Sequence, residues 1–498
     1  MTKNYATSFD VIQISLYKIG NESKPYVNLA GDMCKQFQYF EDIMWPAYAA
    51  TMVIEDNAEN IISTMPIQGF ERVVVEVDDL TETSGENNGR YTYDFRVWNI
   101  SNRVETGRNQ IYTLGLLSVE GMLNEGITVN KIIEGNTSTQ VKKILTDYFR
   151  VPDGKIDVEN SSTSIKILPT KKSPFALIRS ILPKTISEKV SPVLKKFNIN
   201  NPIKGGFSGN WSGGDIPQYT SDVRITGTQG KGSAGYFFFQ TRKGYVFRSI
   251  DSLISTDKDN FNGKPTVNNK LLKNKKFKWQ PAKVDVPSTM IIQEIIFGKE
   301  LDMIKKMREG HYSNICCFFN INTHSYEEQV YSLKDTWEQM AHLGDSDKDL
   351  PPGQVTLSKY PSRTMSTVIN NEVWYSGTDV ASDDPKEGGD SKSTHPYQDF
   401  QKHYLQQGLA RAGILFNQQL TISLTGHLEL CAGDKIEIEL PNPKKESEKD
   451  SDVDPIYSGT YLIKNLNHQF NMTDDRSVYT VLDLVRDSNG IRDNLKKT

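Results

Sequence analysis

The sequence predicts a mainly β fold with α+β parts, arranged in several domains. Two separated stretches alternate apolar and polar residues with the two-residue period of strands that bury one face. Between them, residues 131–190 repeat apolar residues at the helical spacing instead. A chain of 498 residues exceeds the size at which a single hydrophobic core stops growing, so about two to four domains are expected.

The first alternating stretch covers residues 9–130. Strand-like alternation occurs in residues 12–16, 72–77, 91–97 and 110–117. Glycines separate these runs, and residues 85–89 are typical of an exposed hairpin tip. We therefore expect a small antiparallel sheet or barrel in this part of the chain.

The middle of the chain predicts helices, a loop and a hairpin. One helix is expected behind the Ser/Thr-rich residues 137–139, and a second behind the cap and first-turn pair Ser173-Pro174. Residues 188–235 lose all periodicity and are rich in glycine, which indicates an irregular insertion. The aromatic hairpin 236–247 follows, and its composition indicates at least one buried face.

Residues 287–309 are predicted to be helical, and residues 315–321 to be a short strand. The helical spacing comes from Ile291, Ile292, Ile295 and Ile296. Residues 344–394 are rich in Asp, Ser, Gly and Pro and are interpreted as a long loop, with 383–393 as its most mobile part.

The last hundred residues predict a four-stranded antiparallel unit preceded by a helix. The helix covers residues 398–416. The strands and their connections are 420–424, 436–440, the charged loop 444–454, 461–470, the turn 471–475, and 478–486.

Composition argues against several classes of protein. The formal net charge is −4, so no overall positive field attracts phosphate backbones, and nonspecific binding of nucleic acid is disfavoured. The first ten residues lack the apolar core of a signal peptide, and no apolar run approaches the ~20 residues of a membrane span. The four cysteines follow no disulfide pattern and are expected to be reduced and buried: Cys34, Cys316, Cys317 and Cys431.

The sequence shows no convincing catalytic, cofactor or metal centre, and we predict that the protein is not an enzyme. Gly230, Gly232 and Gly235 have the spacing of a dinucleotide-binding loop, but an aromatic strand follows them where such a loop needs a helix. Neither Ser208 nor Ser212 has glycines on both sides at the spacing of a nucleophile elbow. All five are interpreted as loop residues.

Two groups of residues could in principle ligate a metal. They are His311, Cys316, Cys317 and His324, and then His427, Glu429 and Cys431. Adjacent strand residues point to opposite faces, and the first group lacks the C-x-x-C spacing of structural zinc sites. The second group shares half of a zinc deaminase signature but lacks its P-C-x-x-C half, so we expect these residues to share one face of a strand.

Charged clusters are interpreted as solvated surface. The acidic pairs Glu327-Glu328 and Asp383-Asp384 could serve a glycosidase only if they flanked a sugar bond in a cleft. The one basic patch consists of Lys270, Lys273, Lys275, Lys276, Lys278 and Lys283. A solvated strand face or a docking patch for an acidic protein is favoured for it, and contact with phosphates is the alternative.

A longer pattern near the C-terminus joins the helix to the strands. A G-D-x-I-x-I turn and strand is followed by G-x-Y-x-I-x-x-x-x-H, at Gly433, Asp434, Ile436, Ile438, Gly459, Tyr461, Ile463 and His468. Glycine and aspartate suit a tight turn, and the apolar positions suit buried strand faces, so the pattern is structural. In these segments the chain resembles the baseplate hub proteins of contractile phage tails, the T-even-like tail hub family, which is related to the hub part of type VI secretion spike proteins.

This resemblance implies two similar antiparallel β-barrel tube domains per chain and small mixed α/β outer domains. A homotrimer would then present six barrels as a ring, so that a three-fold spike meets a six-fold tail tube. The implied partners are the spike (cell-puncturing) protein, the tail tube or tube-initiator protein, baseplate wedge proteins and the tape measure protein. DNA would pass through the lumen without specific binding, and the protein would reside in the tail baseplate of the virion after assembly in the host bacterial cytoplasm.

The same resemblance gives an expected division of the chain. The segments are a first tube barrel 1–130, a small helical or mixed domain 131–190, a glycine-rich insertion with the aromatic hairpin 191–284, a second tube barrel 285–343 with 395–487, a long flexible loop 344–394, and a C-terminal tail 488–498.

Three other functions stay open at this point. A hub of a contractile secretion or bacteriocin-like particle would use the same barrels. A tail-associated peptidoglycan hydrolase would need a cleft that holds an acid of perturbed pKa. A tail protein that binds nucleic acid would use the lysine patch.

Overall fold

The computed structural model describes most of the chain. The described residues are 9–31, 33–56, 61, 66–79, 89–107, 109–188, 233–254, 271–279, 290–298, 302–321, 324–337, 340–344, 352–369, 373–375, 401–443, 453–473 and 477–488. The expected features at 85–88, 383–393, 444–452 and 474–475, and most of the glycine-rich insertion, lie outside these ranges.

The N-terminal part folds as a sheet, as its alternation predicts. Its strands are β1 (Phe9–Tyr17), β2 (Val27–Asn28), β3 (Cys34–Asp42), β4 (Ala49–Asp56), β5 (Arg72–Asp79), β6 (Arg90–Thr106) and β7 (Asn109–Leu117). They are ordered β2-β1-β5-β6-β7-β4-β3, and all their pairings are antiparallel. One face of this sheet is buried and supplies much of the largest apolar cluster in the molecule.

A mixed α/β region follows. It contains α1 (Val119–Gly126), β8 (Ile133–Asn136), α2 (Thr137–Phe149), β9 (Ile156–Val158), β10 (Thr163–Ile167), α3 (Pro174–Ile181), β11 (Tyr236–Thr241), β12 (Gly244–Ser249) and α4 (Ile250–Ile254). Both predicted helices are confirmed. α2 begins at Asn136, whose side chain accepts hydrogen bonds from two backbone amides of its first turn, and α3 begins at Pro174.

The aromatic hairpin of β11 and β12 is buried on both faces, not only on one. Phe238 and Phe247 pack with α2 and α3, whereas Phe237 and Phe239 pack on the opposite side with residues that include Leu462. The hairpin therefore joins the mixed region to the C-terminal part of the chain.

The remaining elements build a second unit and its surroundings. They are β13 (Leu271–Trp279), β14 (Ile291–Phe297), α5 (Met303–Glu309), β15 (Ser313–Asn320), β16 (Ser325–Ser332), α6 (Leu333–Trp337), α7 (Pro352–Leu357), β17 (Arg363–Val368), β18 (Val373–Tyr375), α8 (Gln401–Leu415), β19 (Gln418–Thr425), β20 (Lys435–Glu439), β21 (Gly459–Asn471) and β22 (Ser477–Arg486).

Six of these strands close into a barrel. Around the barrel the order is β13-β14-β19-β22-β21-β20, and β20 returns to β13. Most pairings are antiparallel, but β13 runs parallel to both of its neighbours. Three small sheets complete the structure: β18-β10-β8, β11-β12-β9 and β16-β15-β17. The predicted fold class, mainly β with barrel and α/β parts, is confirmed.

The two large units repeat the same strand arrangement. In each unit, the strands numbered one to six along the chain are ordered 1-4-5-6-3-2 in the sheet. In the first unit these strands are β1, β3, β4, β5, β6 and β7, and in the second they are β13, β14, β19, β20, β21 and β22. The units differ at the first strand in two ways. β1 runs antiparallel to β5 whereas β13 runs parallel to β20, and β13 pairs with β14 whereas no ladder joins β1 to β3 in the described residues.

The irregularities of the strands are repeated as well. A β-bulge follows Cys34 in β3 and Ile292 in β14, the second strand of each unit. Another follows Val97 in β6 and Ile463 in β21, the fifth strand of each unit. A second bulge in β6, between Ser101 and Val104, has no counterpart in β21. The shared order and the two matched bulges together indicate a structural duplication.

Two expectations of the sequence are corrected. Residues 291–297 form a strand and not a helix, and only Met303–Glu309 of the predicted helix is helical. The bulge at residues 292–294 adds one residue to the strand, so its isoleucines recur with a helical spacing. The interpreted loop 344–394 contains α7, β17 and β18.

Two elements lie in other sheets than expected. The strand Leu271–Trp279, which holds most of the lysine patch, belongs to the second barrel and not to the insertion before it. The hairpin of β15 and β16 forms its own sheet with β17 outside the barrel. The domain boundaries themselves stay a prediction.

Candidate assembly site at the junction of the two units

The two units are joined by main-chain pairing of β3 with β21. Seven residue pairs run antiparallel, from Gln36 opposite Asn471 to Asp42 opposite Asn465. β21 is long enough to serve both units, because its first half pairs with β20 and its second half with β3. One sheet of thirteen strands therefore runs through the chain.

Aromatic side chains fill the core beneath this pairing. Phe37 stacks on Phe470 with ring centroids 5.4 Å apart, and Phe9 meets the same Phe470 edge-on at 5.3 Å. Tyr39 lies parallel to His468 at a centroid distance of 6.1 Å. These side chains are buried and belong to one apolar cluster with both units, so the junction is also a shared core.

His468, the last residue of the C-terminal pattern, is buried at this junction. Its Nδ1 lies 3.0 Å from the hydroxyl of Thr480 on β22. Burial lowers the pKa of His468 to about 3, and the positive charges of Arg242 and His427 act in the same direction. The imidazole is therefore neutral at physiological pH and acts as a flat packing surface for Tyr39.

Glu41 links three parts of the chain beside this ring pair. Its carboxylate accepts hydrogen bonds from the hydroxyl of Tyr39 at 2.6 Å, the backbone amide of Arg242 at 2.6 Å and the backbone amide of Ala432 at 2.7 Å. Burial raises the pKa of Glu41, and these hydrogen bonds oppose the rise. We call Glu41 and these three donors the Glu41 anchor.

The G-D-x-I-x-I pattern has the structural role that its residues predict. Gly433 adopts a φ of +84°, which few other residues tolerate. Its amide donates to the carbonyl of Ile463, whose amide donates back to the carbonyl of Asp434, both at 2.9 Å. The apolar positions of the pattern are fully buried: Ile436, Ile438, Tyr461 and Ile463.

A second buried network, the Arg411 cluster, fixes α8 to the second unit. The guanidinium of Arg411 contacts Asp251 of α4 at 2.7 Å and Asp487 at 3.1 Å, and it donates to the carbonyl of Ala341. Asp487 also lies 2.7 Å from Nδ1 of His342 and accepts from the amide of Leu343 at 3.0 Å. Every charged side chain in it is at most 3% exposed.

The charges of the Arg411 cluster balance each other. Burial alone would raise the pKa of Asp487, but the charge and hydrogen bond of His342, together with Arg411, outweigh it and hold the pKa well below its usual range. The pKa of Arg411 is raised, because Asp251 and Asp487 more than offset its burial. Asp487 and Arg411 are therefore ionised and paired.

The structure separates the metal-ligand candidates around residues 311–324. Cys316 packs with Phe318 on one side of its sheet and Cys317 with Ile315 on the other, as adjacent strand residues should. His311 packs against Gly413 of α8, where any Cβ would lie 2.1 Å from the imidazole, and His324 is exposed. Among the described residues, no group of three or more His, Cys, Asp or Glu side chains could hold a metal.

The second candidate group lies in turns and not along a strand face. Residues 426–434 form no strand, so the expectation of one shared strand face for His427, Glu429 and Cys431 is wrong. Burial raises the pKa of the Cys431 thiol, that of Cys34 to about 12 and that of Cys316 to about 11. These thiols are therefore poor nucleophiles at neutral pH.

The other candidates divide between surface and undescribed residues. Glu328 is exposed on β16, and Lys276 forms an ion pair with Glu437 at 3.2 Å on the barrel. The glycines at 230 and 232, Ser208, Ser212, the pair Asp383-Asp384 and the lysines at 270 and 283 lie outside the described residues.

Some residues that matter most were not predicted from sequence. Two donors of the Glu41 anchor, Arg242 and Ala432, are 201 and 391 positions away from Glu41 along the chain, and Arg411 lies 160 positions from Asp251. Glu159 was missed as well: burial raises its pKa to about 7, yet it is 1% exposed and accepts a hydrogen bond from the amide of Ser249. None of these residues lies in a local motif that could have indicated its role.

At the junction, the face of the joined sheet opposite the core is polar. Across the junction it presents Thr51, Gln38, Gln469 and Tyr479 as one row of opposed residues. The charges near this row are paired, Lys35 with Glu55 at 2.8 Å and Lys464 with Asp42 at 3.2 Å. A shallow groove between Gln36, Val53 and Asn471 follows the line of the junction.

Solved structures of phage tail proteins and of a secretion component are similar to this chain over nearly its whole length, at low sequence identity. No protein-family model and no curated protein matches the sequence. Among solved structures, a tail protein from Neisseria meningitidis MC58 is similar over 98% of this chain and 99% of its own, with 10% identity and a TM-score of 0.45.

Two further solved structures are similar in the same way. The 43 kDa tail protein of prophage MuSo2 from Shewanella oneidensis is 9% identical, with a TM-score of 0.44 and coverage of 95% of this chain and 98% of its own. An Escherichia coli component of the type VI secretion system, described as structurally similar to the T4 tail proteins gp27 and gp5, is 8% identical, with a TM-score of 0.38 and coverage of 96% and 77%. None of the helices in the described part of this chain has the length and apolar character needed to cross a bilayer.

The neutral state of His468 predicts a pH-dependent stability. Because the pKa of His468 is lower in the folded protein than the ~6.5 of an unfolded chain, the stability that it provides is present above about pH 6.5 and is lost as the pH falls toward 3. In His468→Asn the free energy of unfolding should fall less steeply with decreasing pH than in the wild type, by up to about 1.4 kcal/mol per pH unit. Urea unfolding between pH 3.5 and 7.5 measures the slope, and His324→Asn, at an exposed histidine, is the control. Equal slopes in the wild type and His468→Asn would contradict a neutral, buried imidazole.

The Arg411 cluster predicts a large effect of one substitution. Asp487→Asn leaves Arg411 and His342 with one carboxylate fewer in a buried site, and we expect the free energy of unfolding at pH 7 to fall by about 3 kcal/mol. Since the pKa of Asp487 is held low in the folded state, this difference should be present above about pH 4 and shrink at lower pH. Denaturant titration measures it, and Asp78→Asn, which breaks an exposed pair with Arg90, should have a much smaller effect.

Proposed function

We propose that this protein is the trimeric baseplate hub of a contractile phage tail, where it joins a three-fold spike to a six-fold tail tube. The observation that carries the proposal is the duplication. Each chain holds two units with the same strand order and with bulges at two matching places, so three chains arranged around one axis present six similar units. Such a ring has three-fold symmetry in sequence and near six-fold symmetry in backbone shape.

The proposed partners follow from that symmetry. The spike protein would bind the end of the ring at which the two units of each chain differ, so that the surface has three-fold symmetry. The tail tube or its initiator would bind the end at which all six units have a similar shape. Contacts with baseplate wedge proteins and with the tape measure protein, and assembly in the host cytoplasm before incorporation into the virion, are carried over from the C-terminal resemblance. The same arrangement would serve a contractile secretion or bacteriocin-like particle.

We propose further that the polar face of the joined sheet lines the DNA channel. Amide and hydroxyl side chains alternate along it, for example Gln38, Asn467 and Gln469, and the nearby charges are paired. DNA is retained by surfaces whose lysines and arginines displace its counterions. A neutral polar wall lets the duplex pass without specific binding.

A peptidoglycan hydrolase is the rival from another class. Glu159, whose pKa burial raises to about 7, is enclosed and hydrogen-bonded to a backbone amide, so substrate has no path to it. The buried charges of the junction pair with each other and hold elements together. This arrangement supports a load-bearing role rather than catalysis.

The mass of the purified protein tests the ring. We expect a species of three chains, each of 56.3 kDa, in sedimentation or native mass measurements, either alone or in the presence of the spike protein. A strict monomer in both states would contradict the hub. Loss of turbidity of purified peptidoglycan on addition of the protein would instead support the hydrolase, with heat-denatured protein as the control.

A further inference from the structure

The junction inside the chain is a template for a contact between chains. It joins the second strand of the first unit, β3, to the fifth strand of the second unit, β21. The duplicated counterparts are β14, the second strand of the second unit, and β6, the fifth strand of the first unit. Within one chain β14 cannot pair with β6 in the same way, because the first unit is already joined, through β3, to β21 at the other side of the second unit.

Both counterparts have an open edge where the template predicts one. β14 pairs with β19 along its length, but its other edge pairs with β13 only through Ile291 and Ile292, so no ladder covers Glu294–Phe297 in the described residues. β6 pairs with β5 only up to Arg96, and beyond Val97 no described strand pairs with that edge. Open edges of this kind are sites of strand addition.

The matched bulges fix the register of the predicted pairing. Counting from the bulge after Ile292, Ile296 takes the place that Gln38 has after the bulge at Cys34. On the other strand, Val104 pairs with Ile111 of β7, and Gln469 pairs with Tyr479 of β22.

β6 has a second bulge, between Ser101 and Val104, that β21 lacks, so the count is carried by the partner strands β7 and β22. The first paired residue after each bulge has Gly115 of β7 or Asp483 of β22 as its partner. Ile111 lies four residues before Gly115 on β7, and Tyr479 lies four residues before Asp483 on β22. Val104 therefore takes the place of Gln469. Since Gln38 lies opposite Gln469 inside the chain, the template places Ile296 opposite Val104.

The exposed apolar side chains of the molecule agree with this register. Ile296 is 54% exposed and Val104 is 58% exposed, although both lie in strands of the large sheet. Both also lie on the face away from the core, because Ile296 is opposite Thr421 and Val104 is opposite the exposed Ile111. Large apolar residues on open strand edges indicate a surface that is covered in the assembly.

We infer that β14 of one copy pairs antiparallel with β6 of the next copy, with Ile296 opposite Val104, and that this contact closes the ring. The inference rests on the proposed function for the number of copies, but the strand pairing is argued from the duplication alone. It continues the thirteen-stranded sheet from one chain into the next, and it covers both open edges in every copy. Such a contact is head-to-tail, so each copy offers both halves of it.

Disulfide trapping tests the pairing directly. Opposed residues in antiparallel strands have Cβ atoms ~4.5–5.5 Å apart, close to the range that a disulfide spans. In the variant Ile296→Cys with Val104→Cys, mild oxidation should give disulfide-linked species of two and three chains on a nonreducing gel. Each single variant should stay at one chain, and the four native cysteines are buried. The pair Ile304→Cys with Val104→Cys is the matched control, because Ile304 is 65% exposed but lies on α5.

A charge exchange provides a second, independent test. Ile296→Lys and Val104→Glu should each reduce the assembly from three chains to one, while the unfolding transition of the single chain stays unchanged. The variant with both substitutions places a lysine opposite a glutamate at every contact and should recover the trimer. Rescue by the double variant is not expected from mere loss of folding.

The outcomes separate this inference from the proposed function. The strand pairing is overturned, and the hub proposal left in place, if the wild type is a trimer but the double cysteine variant forms no cross-links. The same holds if both single charge variants remain trimeric. Cross-links in an assembly of another size support the pairing and overturn the trimer. A strict monomer that forms no cross-links overturns both.

Discussion

The rest of the structure depends on one strand, β21, that pairs with both units at once. Its bulge after Ile463 is where the chain turns from its own barrel toward the first unit, because β20 pairs with residues up to Leu462 and β3 with residues from Asn465 onward. A bulge bends a strand and increases its local twist. β21 therefore changes its pairing partner from β20 to β3 within a few residues. The Glu41 anchor and the ring of His468 are packed beside this part of the strand pairing.

The junction contains more buried polar groups than apolar packing alone would need. Apolar surfaces slide and repack easily, whereas a carboxylate that accepts three hydrogen bonds has one arrangement of its donors. Glu41 ties β3 to the turn of the aromatic hairpin and to the turn before β20. The Arg411 cluster does the same for α8, α4 and the C-terminal end of β22. We interpret both as networks that fix the relative position of these elements, which the proposed role between a spike and a tube would require.

Much of this fold could be predicted from the sequence, because most of its strands bury one face and so alternate regularly. The prediction failed where the alternation is interrupted. Ile291 to Ile296 look helical only because a bulge inserts Gln293 between two phases of a strand. The junction could not be predicted for a different reason: the partners of Glu41 and Arg411 are separated by 70 to 391 positions, and no local pattern records such distances. His468 could be located through its pattern, but its stacking on Tyr39 could not.

The two copies of the junction differ in chemistry although they share a backbone plan. Inside the chain, Gln38 faces Gln469, and the contact needs little further stabilisation because the two units are covalently linked and share a buried core. Between chains, the same positions hold Ile296 and Val104. Association of separate molecules must overcome the loss of translational and rotational freedom, which a polar pair exposed to water does not offset but burial of apolar surface can. If the two junctions were identical after the duplication, they would be expected to diverge in this way. The apolar pair would then lie on the edges to which a second copy has to bind.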